Sequence, residues 1–214
     1  MMKHLSTRIT NKIKYFLFIA CLIPFANLLL AYLTNSLGPD PVANITHTTG
    51  IWALNLLIAS LAISPVRKLT HWNWLIRLRR TIALYAFFYA SLHILNYLIF
   101  DQFFDWPEIN KDIARYPYMM AGLISFVLMI PLAFTSTTDM MKLMGGRYWQ
   151  MLHRLAYPVV TAAVVHYFWL VKQDITKPSI YAVVLLSLFL ARLTKTRQPL
   201  QNTLRIRSPK AIES

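Results

Sequence analysis

Long apolar runs separated by short polar loops dominate the hydrophobic pattern of the chain. Six of them approach the roughly 20 residues that an α-helix needs to cross a bilayer. They cover residues 15–33, 45–63, 81–100, 118–135, 151–171 and 179–193. The pattern therefore predicts an all-α integral membrane protein, built as a bundle of six transmembrane helices.

Charged residues alternate in sign from one loop to the next. All but four of the 22 Lys and Arg residues lie at or near the N-terminus, the second and fourth loops, and the C-terminal tail. The other side of the membrane holds Lys111, Arg115, Lys172 and Lys177 with six of the eight acids, which are Asp40, Asp101, Asp105, Glu108, Asp112 and Asp174. The positive-inside rule then predicts cytoplasmic N- and C-termini.

The same alternation divides the chain into three parts. Residues 1–14 form a cytoplasmic N-terminus, residues 15–194 form the six-span domain, and residues 195–214 form a basic cytoplasmic tail that is exposed or lies on the lipid surface. The first apolar run follows a basic segment, as in a secretory signal, but it continues without a break to Leu33, which favours a retained helix.

Composition narrows the possible functions. With 57% hydrophobic residues in 214, the net charge of +14 reflects topology and not a basic face for nucleic acid. Cys21 is the only cysteine, which excludes an internal disulfide, a cysteine-bound iron–sulfur cluster and c-type haem attachment. The chain also lacks a GxGxxG motif, so a redox protein of this kind would take electrons from a partner or a membrane pool.

His93 lies deep in the third run, in its outer half. An ionisable side chain at that depth is costly and indicates a functional site, and imidazole is a common axial ligand of haem iron. Tyr89 and Tyr97 stand four residues to either side, and Ala86 and Ala90 share the face. Small residues would leave room for a flat macrocycle, on which the aromatic rings could pack. A structural hydrogen bond and a proton relay remain alternatives for His93. Close helix packing is the alternative for the alanines, and a place in the core is the alternative for the tyrosines.

His166 reaches a similar depth in the fifth run, with Ala162 and Ala163 beside it. The third and fifth runs both lead outward, so His93 and His166 are expected at matching levels on two helices. A bis-histidine haem site between neighbouring helices requires this arrangement.

His153 lies near the cytoplasmic mouth of the fifth run, about 20 Å from His166 along an ideal helix and some 140° away in azimuth. Pro158 stands between them and can change that phase. Beside Arg154, His153 is either a cofactor ligand or an interfacial side chain. His4 and His47 are expected near span ends and solvated, and His71 is expected at the interface.

Three strings give the chain a resemblance to a known family: residues 79–87 leading to His93, residues 146–157 around His153, and residues 165–167 around His166. Together with six spans and internal termini, they resemble the ferric-reductase-like transmembrane domain. They also resemble the haem-binding membrane subunit of the bacterial periplasmic methionine-sulfoxide reductase system.

This resemblance implies a function. Such a subunit passes electrons from a cytoplasmic flavin reductase, or from the quinone pool, through haem b to a periplasmic molybdopterin-containing methionine-sulfoxide reductase, which repairs oxidised proteins. The family is also associated with FMN. Carried over to this chain, His93, His153 and His166 match the haem-associated histidines, and the chain would be an electron conduit without being the catalytic subunit.

The inner site departs from the related oxidases, whose third span carries a second histidine. Here that region holds Arg79 and Arg80. Either His153 binds a second haem with an unusual partner, or flavin occupies the inner position, with Arg79, Arg80 and Arg154 available for phosphate or propionate groups.

The loop between the third and fourth runs offers Asp101, Asp105, Glu108 and Asp112 as a docking surface for the periplasmic partner, although topology alone also accounts for acids there. Two further classes compete with the conduit. One is a proton or ion transporter that uses the intramembrane histidines, and the other is a structural membrane anchor of a redox complex.

Overall fold

The computed structural model describes residues 6–193, which fold as a bundle of α-helices. The helices are α1 (Thr7–Leu33), α2 (Pro41–Thr70), α3 (Ile76–Asn96), α4 (Trp106–Arg115), α5 (Pro117–Phe134), α6 (Thr138–Met144), α7 (Gly146–Leu152), α8 (Ala156–Leu170) and α9 (Thr176–Leu193). A π-helical turn, Tyr97–Asp101, extends α3, and 3-10 turns cover Asn73–Leu75 and His153–Leu155. The predicted basic tail, residues 195–214, and the first five residues of the N-terminal segment lie outside the described residues.

Five helical segments between residues 6 and 193 are long and apolar enough to cross a membrane. They are Arg8–Leu33, Pro41–Thr70, Asn73–Asp101, Pro117–Phe134 and Thr176–Leu193, and each contains one predicted run or nearly all of it. Little of the first and last of these segments is buried within the protein. A multi-pass membrane protein is thereby supported, since such surfaces suit lipid contact and a helix satisfies its own backbone hydrogen bonds.

The fifth predicted run, residues 151–171, is divided in the structure and is not among the five segments. It divides into the end of α7, the 3-10 turn and α8, which has 15 residues. Pro158 explains the break, because proline has no N–H and its ring clashes with the carbonyl four residues earlier, at Arg154. The turn immediately before α8 tightens where the α-helical hydrogen bond is missing, and it takes His153 off the α8 helix.

Polar residues at the helix ends set where the helices begin and end. Asp40 caps α2 by accepting the Ala43 N–H at 3.0 Å, and His71 ends that helix in the left-handed conformation. We call the end of the bundle where α2 terminates the basic end, since Arg67 and Lys68 lie there. The opposite end, where α2 begins at Asp40, is the acidic end.

The most extensive helix contacts in the bundle are those of α2 with α3 and of α5 with α8. Asn96 of α3 donates to the Val42 carbonyl and to the Thr46 hydroxyl of α2, and Ser125 of α5 donates to the Val159 carbonyl of α8. Helix α3 also contacts α5, whereas α1 packs on α3 and α9 packs on α2 and α8. Helix α2 also contacts α8, so the four helices form one group in which α3 and α8 lie across from each other.

The aromatic stripe of α3 faces α1. Tyr85 donates to the Phe18 carbonyl, while the Tyr89 hydroxyl donates to the Cys21 carbonyl at 2.7 Å and accepts the Phe25 N–H at 3.0 Å. Tyr89 thus bridges the α1 backbone beside Pro24, where helical hydrogen bonding is weakened. These two rings are core residues, which is one of the two alternatives for the tyrosines of this stripe.

Candidate functional site

The rings of His93 and His166 meet between α3 and α8, in the half of the bundle nearer the acidic end. Their centroids are 6.1 Å apart and their planes cross at 84°. His93 lies in the last turn of α3, and His166 lies near the C-terminal end of α8. The two residues that were expected at matching depths are thus brought together, although they are 73 positions apart in the sequence.

Each histidine is held by a backbone carbonyl of the neighbouring helix. The Nδ1 atom of His93 lies 2.8 Å from the Thr46 carbonyl oxygen, and that of His166 lies 2.7 Å from the Tyr118 carbonyl oxygen. Because a carbonyl only accepts, both Nδ1 atoms carry the proton and donate it. Both Nε2 atoms are then left with a free lone pair, as a metal-binding imidazole requires.

A glycine lies against each ring. A Cβ atom at Gly50 of α2 would stand 3.0 Å from Cε1 and Nδ1 of His93, and one at Gly122 of α5 would stand 2.7 Å from Nδ1 of His166. Ordinary contact begins at 3.4 Å, so neither position accommodates a larger residue without movement of the ring. The two glycines allow the imidazoles to lie flat against the adjacent helices and reach their carbonyl acceptors.

This arrangement fits one metal ion bound between two imidazoles. Two rings that bind from opposite sides, each with a nitrogen about 2 Å from the metal, have centroids roughly 6 Å apart. The observed 6.1 Å agrees with that geometry. Hydrogen-bonded Nδ1 atoms on both rings supply the outer support that such ligands normally have.

His153 lies in a different part of the structure. Its Nε2 atom is 3.2 Å from the Thr135 hydroxyl, and its ring stacks on Trp149 with a centroid distance of 4.0 Å. Trp149 in turn donates to the Thr135 carbonyl at 2.8 Å. These contacts place His153 at the basic end, in a separate environment from the His93 and His166 pair.

Arginines gather at the same end. Arg79 is partly buried and lies within electrostatic range of Arg67 and Arg192, and also of His153. Arg192 of α9 donates to the Tyr157 hydroxyl and, at 2.5 Å, to the Leu61 carbonyl. No carboxylate in residues 6–193 forms an ion pair with any arginine. The predicted Arg80 and Arg154 are also at this end, with exposed side chains.

The predicted acidic docking surface is only partly free. Asp112 accepts hydrogen bonds from Tyr97 and Gln102, which hold it against the bundle. Asp105 caps α4 by accepting the Glu108 N–H, although its side chain is exposed. Exposed Asp101 and Asp105 therefore remain the accessible part of this surface.

The sequence pattern identified the two histidines but not the residues that position their rings. Gly50 and Gly122 carried a usable signal, because they are the only two of the five glycines that lie in predicted spans. Glycine within a helix is unfavourable and calls for a packing reason. Nothing in the sequence marks the carbonyls of Thr46 and Tyr118 as hydrogen-bond acceptors for the histidines. Every residue has a carbonyl, and only the folded structure determines which two lie beside the rings.

Comparison with known proteins agrees with the resemblance. Residues 49–164 match the model of the ferric reductase like transmembrane component. A protein-methionine-sulfoxide reductase heme-binding subunit MsrQ from Herminiimonas arsenicoxydans is 48% identical over 183 residues, which cover 85% of this chain and 84% of that protein.

Subunits with the same name from Azospira oryzae and Ralstonia nicotianae are 45% and 46% identical over 176 and 166 residues. These alignments cover 82% and 77% of this chain, and 76% of each relative. The family match takes in both glycines, His93 and His153, while the alignments with the relatives extend over most of the chain. The chain therefore belongs to the ferric-reductase-like transmembrane family and to the MsrQ group within it.

Proposed function

We propose that this protein is the membrane subunit that binds haem b and transfers electrons in a methionine-sulfoxide reductase system. One observation carries the proposal: the rings of two histidines, one on α3 and one on α8, have centroids 6.1 Å apart, and each binds a backbone carbonyl through Nδ1. The relatives named as heme-binding subunits of that system support it.

His93 and His166 would hold the haem iron through their Nε2 atoms. Haem held there supplies a one-electron iron couple, and two histidine ligands leave the iron no open position. The protein's part is to hold both rings in one orientation, which the carbonyl acceptors and the glycines achieve, and to keep water out with the surrounding apolar helices. Such a site suits electron transfer and disfavours oxygen binding.

We further propose six spans, with both termini cytoplasmic. Helix α8 alone covers about 22 Å at 1.5 Å per residue, and the helical turns from Gly146 through the 3-10 turn add the length needed to span the membrane. The distribution of Lys and Arg supports the orientation, with the basic end inside. The subunit would then lie in the bacterial inner membrane.

The basic end is the proposed inner cofactor site. His153 with Arg79, Arg80 and Arg154 would bind either a second haem or FMN, and the arginines would hold propionate or phosphate oxygens. Support comes from Arg79, which is partly buried near two other arginines and has no carboxylate partner in the described part of the chain. Guanidinium groups brought together in this way favour an anionic ligand.

Partners follow from this orientation. Electrons would enter at the basic end from a cytoplasmic flavin reductase, or from quinone in the membrane, and leave at the acidic end. There a periplasmic molybdopterin-containing methionine-sulfoxide reductase would accept them, docking near Asp101 and Asp105. The exposed carboxylates would orient a partner with a basic surface.

An optical spectrum of the purified protein tests the outer site. We expect a reduced-minus-oxidised b-type haem spectrum that is lost or strongly altered in His93→Ala and in His166→Ala. His71→Asn is the matched control, because asparagine tolerates the left-handed conformation of that residue and leaves the site untouched. A folded wild-type protein without haem would refute the proposal, and so would alanine variants with unchanged spectra.

The number and kind of bound cofactors test the proposed inner site at the basic end. Pyridine haemochrome and acid-released flavin, measured on wild type and on Arg79→Gln, would show which group the basic end holds. We expect Arg79→Gln to lose flavin or a second haem while it keeps the outer haem. Retention of every cofactor in this variant would contradict the assignment of Arg79.

A further inference from the structure

A buried amide lies three residues beyond His93. Asn96 is the last residue of α3 and is only 5% exposed, so its side chain depends on protein partners. Its Nδ2 atom donates to the Thr46 hydroxyl at 2.6 Å and to the Val42 carbonyl at 3.0 Å, and both acceptors belong to α2. An amide that is bound twice in this way fixes how α3 lies against α2.

Thr46 of α2 binds both Asn96 and His93. It accepts the Asn96 amide through its hydroxyl and the His93 Nδ1 proton through its carbonyl, the latter at 2.8 Å. The Thr46 hydroxyl also donates to the Val42 carbonyl at 2.9 Å, so the polar atoms around Asn96 form one connected group. Residues three apart share a helix face, so α3 is attached to α2 at two points beside the ring. We call the Asn96 amide, the Thr46 hydroxyl and the Val42 carbonyl the α2–α3 clamp.

The α2–α3 clamp lies where α3 changes its hydrogen-bonding pattern. The α-helix ends at Asn96, and the π-helical turn begins at Tyr97. Turns of this kind are rare and occur frequently at functional sites. Because the α-helical pattern stops here, the bonds to α2 secure the last turn of α3, which carries His93.

His166 has no equivalent clamp in the part of the chain that the structure describes. Its Nδ1 atom binds the Tyr118 carbonyl of α5, but no hydrogen bond involves the Tyr118 side chain within residues 6–193. Ser125 joins α5 to α8 at Val159, which lies seven residues before His166. The two halves of the site therefore differ, because side chains secure the acceptor of His93 alone.

We propose that Asn96 is a positioning residue for His93, and that its clamp on α2 sets the strength of the His93–Thr46 hydrogen bond and thereby the reduction potential of the bound haem. The inference rests on the proposed function and names a residue that it does not assign. A stronger hydrogen bond at Nδ1 makes imidazole a more basic ligand, which favours ferric over ferrous iron. Asn96 therefore holds the potential below the value that it would have without the clamp.

Asn96→Leu tests the clamp, since leucine is an apolar side chain of similar size. The Thr46 hydroxyl and the Val42 carbonyl stay bonded to each other, so neither loses its last partner. We expect the purified variant to keep a haem spectrum with two histidine ligands. The preference for ferric over ferrous iron should fall about tenfold, which raises the midpoint potential by about 59 mV.

Asn55→Leu is the matched control. Asn55 is another amide of α2, nine residues from Thr46, and its Oδ1 atom accepts the Tyr181 hydroxyl of α9 at 2.7 Å. Its loss removes a contact between helices without touching the α2–α3 clamp. We expect Asn55→Leu to lower the temperature of thermal unfolding and to leave the midpoint potential unchanged.

Thr46→Val is a second variant that separates the two roles of Thr46. Valine has a similar shape, keeps the carbonyl that binds His93 and removes the hydroxyl that binds Asn96. The potential should rise by less than in Asn96→Leu, because the bond from Asn96 to the Val42 carbonyl remains. The double variant should match Asn96→Leu alone, since both changes act on one group of hydrogen bonds.

An unchanged midpoint potential in Asn96→Leu or in Thr46→Val overturns the proposal. An equal rise in Asn55→Leu also overturns it, because the loss of any contact of α2 would then suffice. Wild-type protein without haem refutes the proposed function and this inference with it. Haem that depends on His93 and His166, but whose potential is the same with and without the Asn96 amide, refutes the role of Asn96 alone.

Discussion

Gly122→Ala is the substitution that most directly tests how the histidine site is built. The added methyl group would stand 2.7 Å from Nδ1, 3.0 Å from Cε1 and 3.3 Å from Cγ of His166. All three distances lie inside the ordinary contact limit of 3.4 Å, so the ring has to move away from α5. That movement pulls Nδ1 from the Tyr118 carbonyl, to which it is bound at 2.7 Å.

Opposing effects determine how much Gly122→Ala changes the free energy of the folded protein. Alanine in place of glycine favours a helix by about 1 kcal/mol, so propensity alone predicts a more stable protein. Overpacking costs about 1–3 kcal/mol, and an unpaired buried donor costs about 1–3 kcal/mol more. The expected net cost is about 1–5 kcal/mol, and each 1.4 kcal/mol of it that falls on haem binding weakens affinity about tenfold.

The assay is haem content and absorption spectrum after purification, with thermal unfolding in detergent measured in parallel. Gly50→Ala should have a smaller effect, because its methyl group would approach His93 to 3.0 Å instead of 2.7 Å. Gly146→Ala is the control, since a Cβ atom at that position meets nothing within 4 Å. Full haem content and an unchanged spectrum in Gly122→Ala would refute the reasoning.

Three more substitutions test the surrounding structure. Tyr89→Phe leaves the Phe25 N–H without its acceptor and should destabilise the protein by about 1–3 kcal/mol, measured by thermal unfolding. Arg192→Leu removes the link from α9 to the Leu61 carbonyl and should increase protease cleavage near the end of α9; unchanged cleavage would contradict this role. Thr135→Val frees Nε2 of His153, so it should alter the basic-end cofactor and spare the outer haem, as separate redox titrations would show.

The membrane-spanning helices could be predicted from the sequence because the thickness and apolar interior of the bilayer require long apolar runs. Apolar runs of the right length predicted segments of helix, and five of them have the expected length and composition. The fifth run is divided near Pro158. Its hydropathy was that of a span, but a missing N–H and a steric clash interrupt the helix, and a hydrophobicity count registers neither.

Only part of the candidate site could be predicted from the sequence. His93 and His166 stand out because imidazole at bilayer depth is costly, and the level at which they meet follows from helical rise. Helix azimuth depends on packing, so the neighbours of each ring were not predictable. Tyr89 illustrates this, since it shares a stripe with His93 but binds the α1 backbone.

By itself, the sequence determined the membrane-spanning character of the chain, the asymmetry of its charges and the two histidines worth following, because each depends on composition and spacing along the chain. The tertiary structure alone decided which groups surround them. It brought the rings of two residues 73 positions apart to a centroid distance of 6.1 Å, and it selected the carbonyls of Thr46 and Tyr118 as their acceptors. The physical reason is that such contacts depend on how helices rotate and pack against one another, and a linear pattern does not specify that rotation.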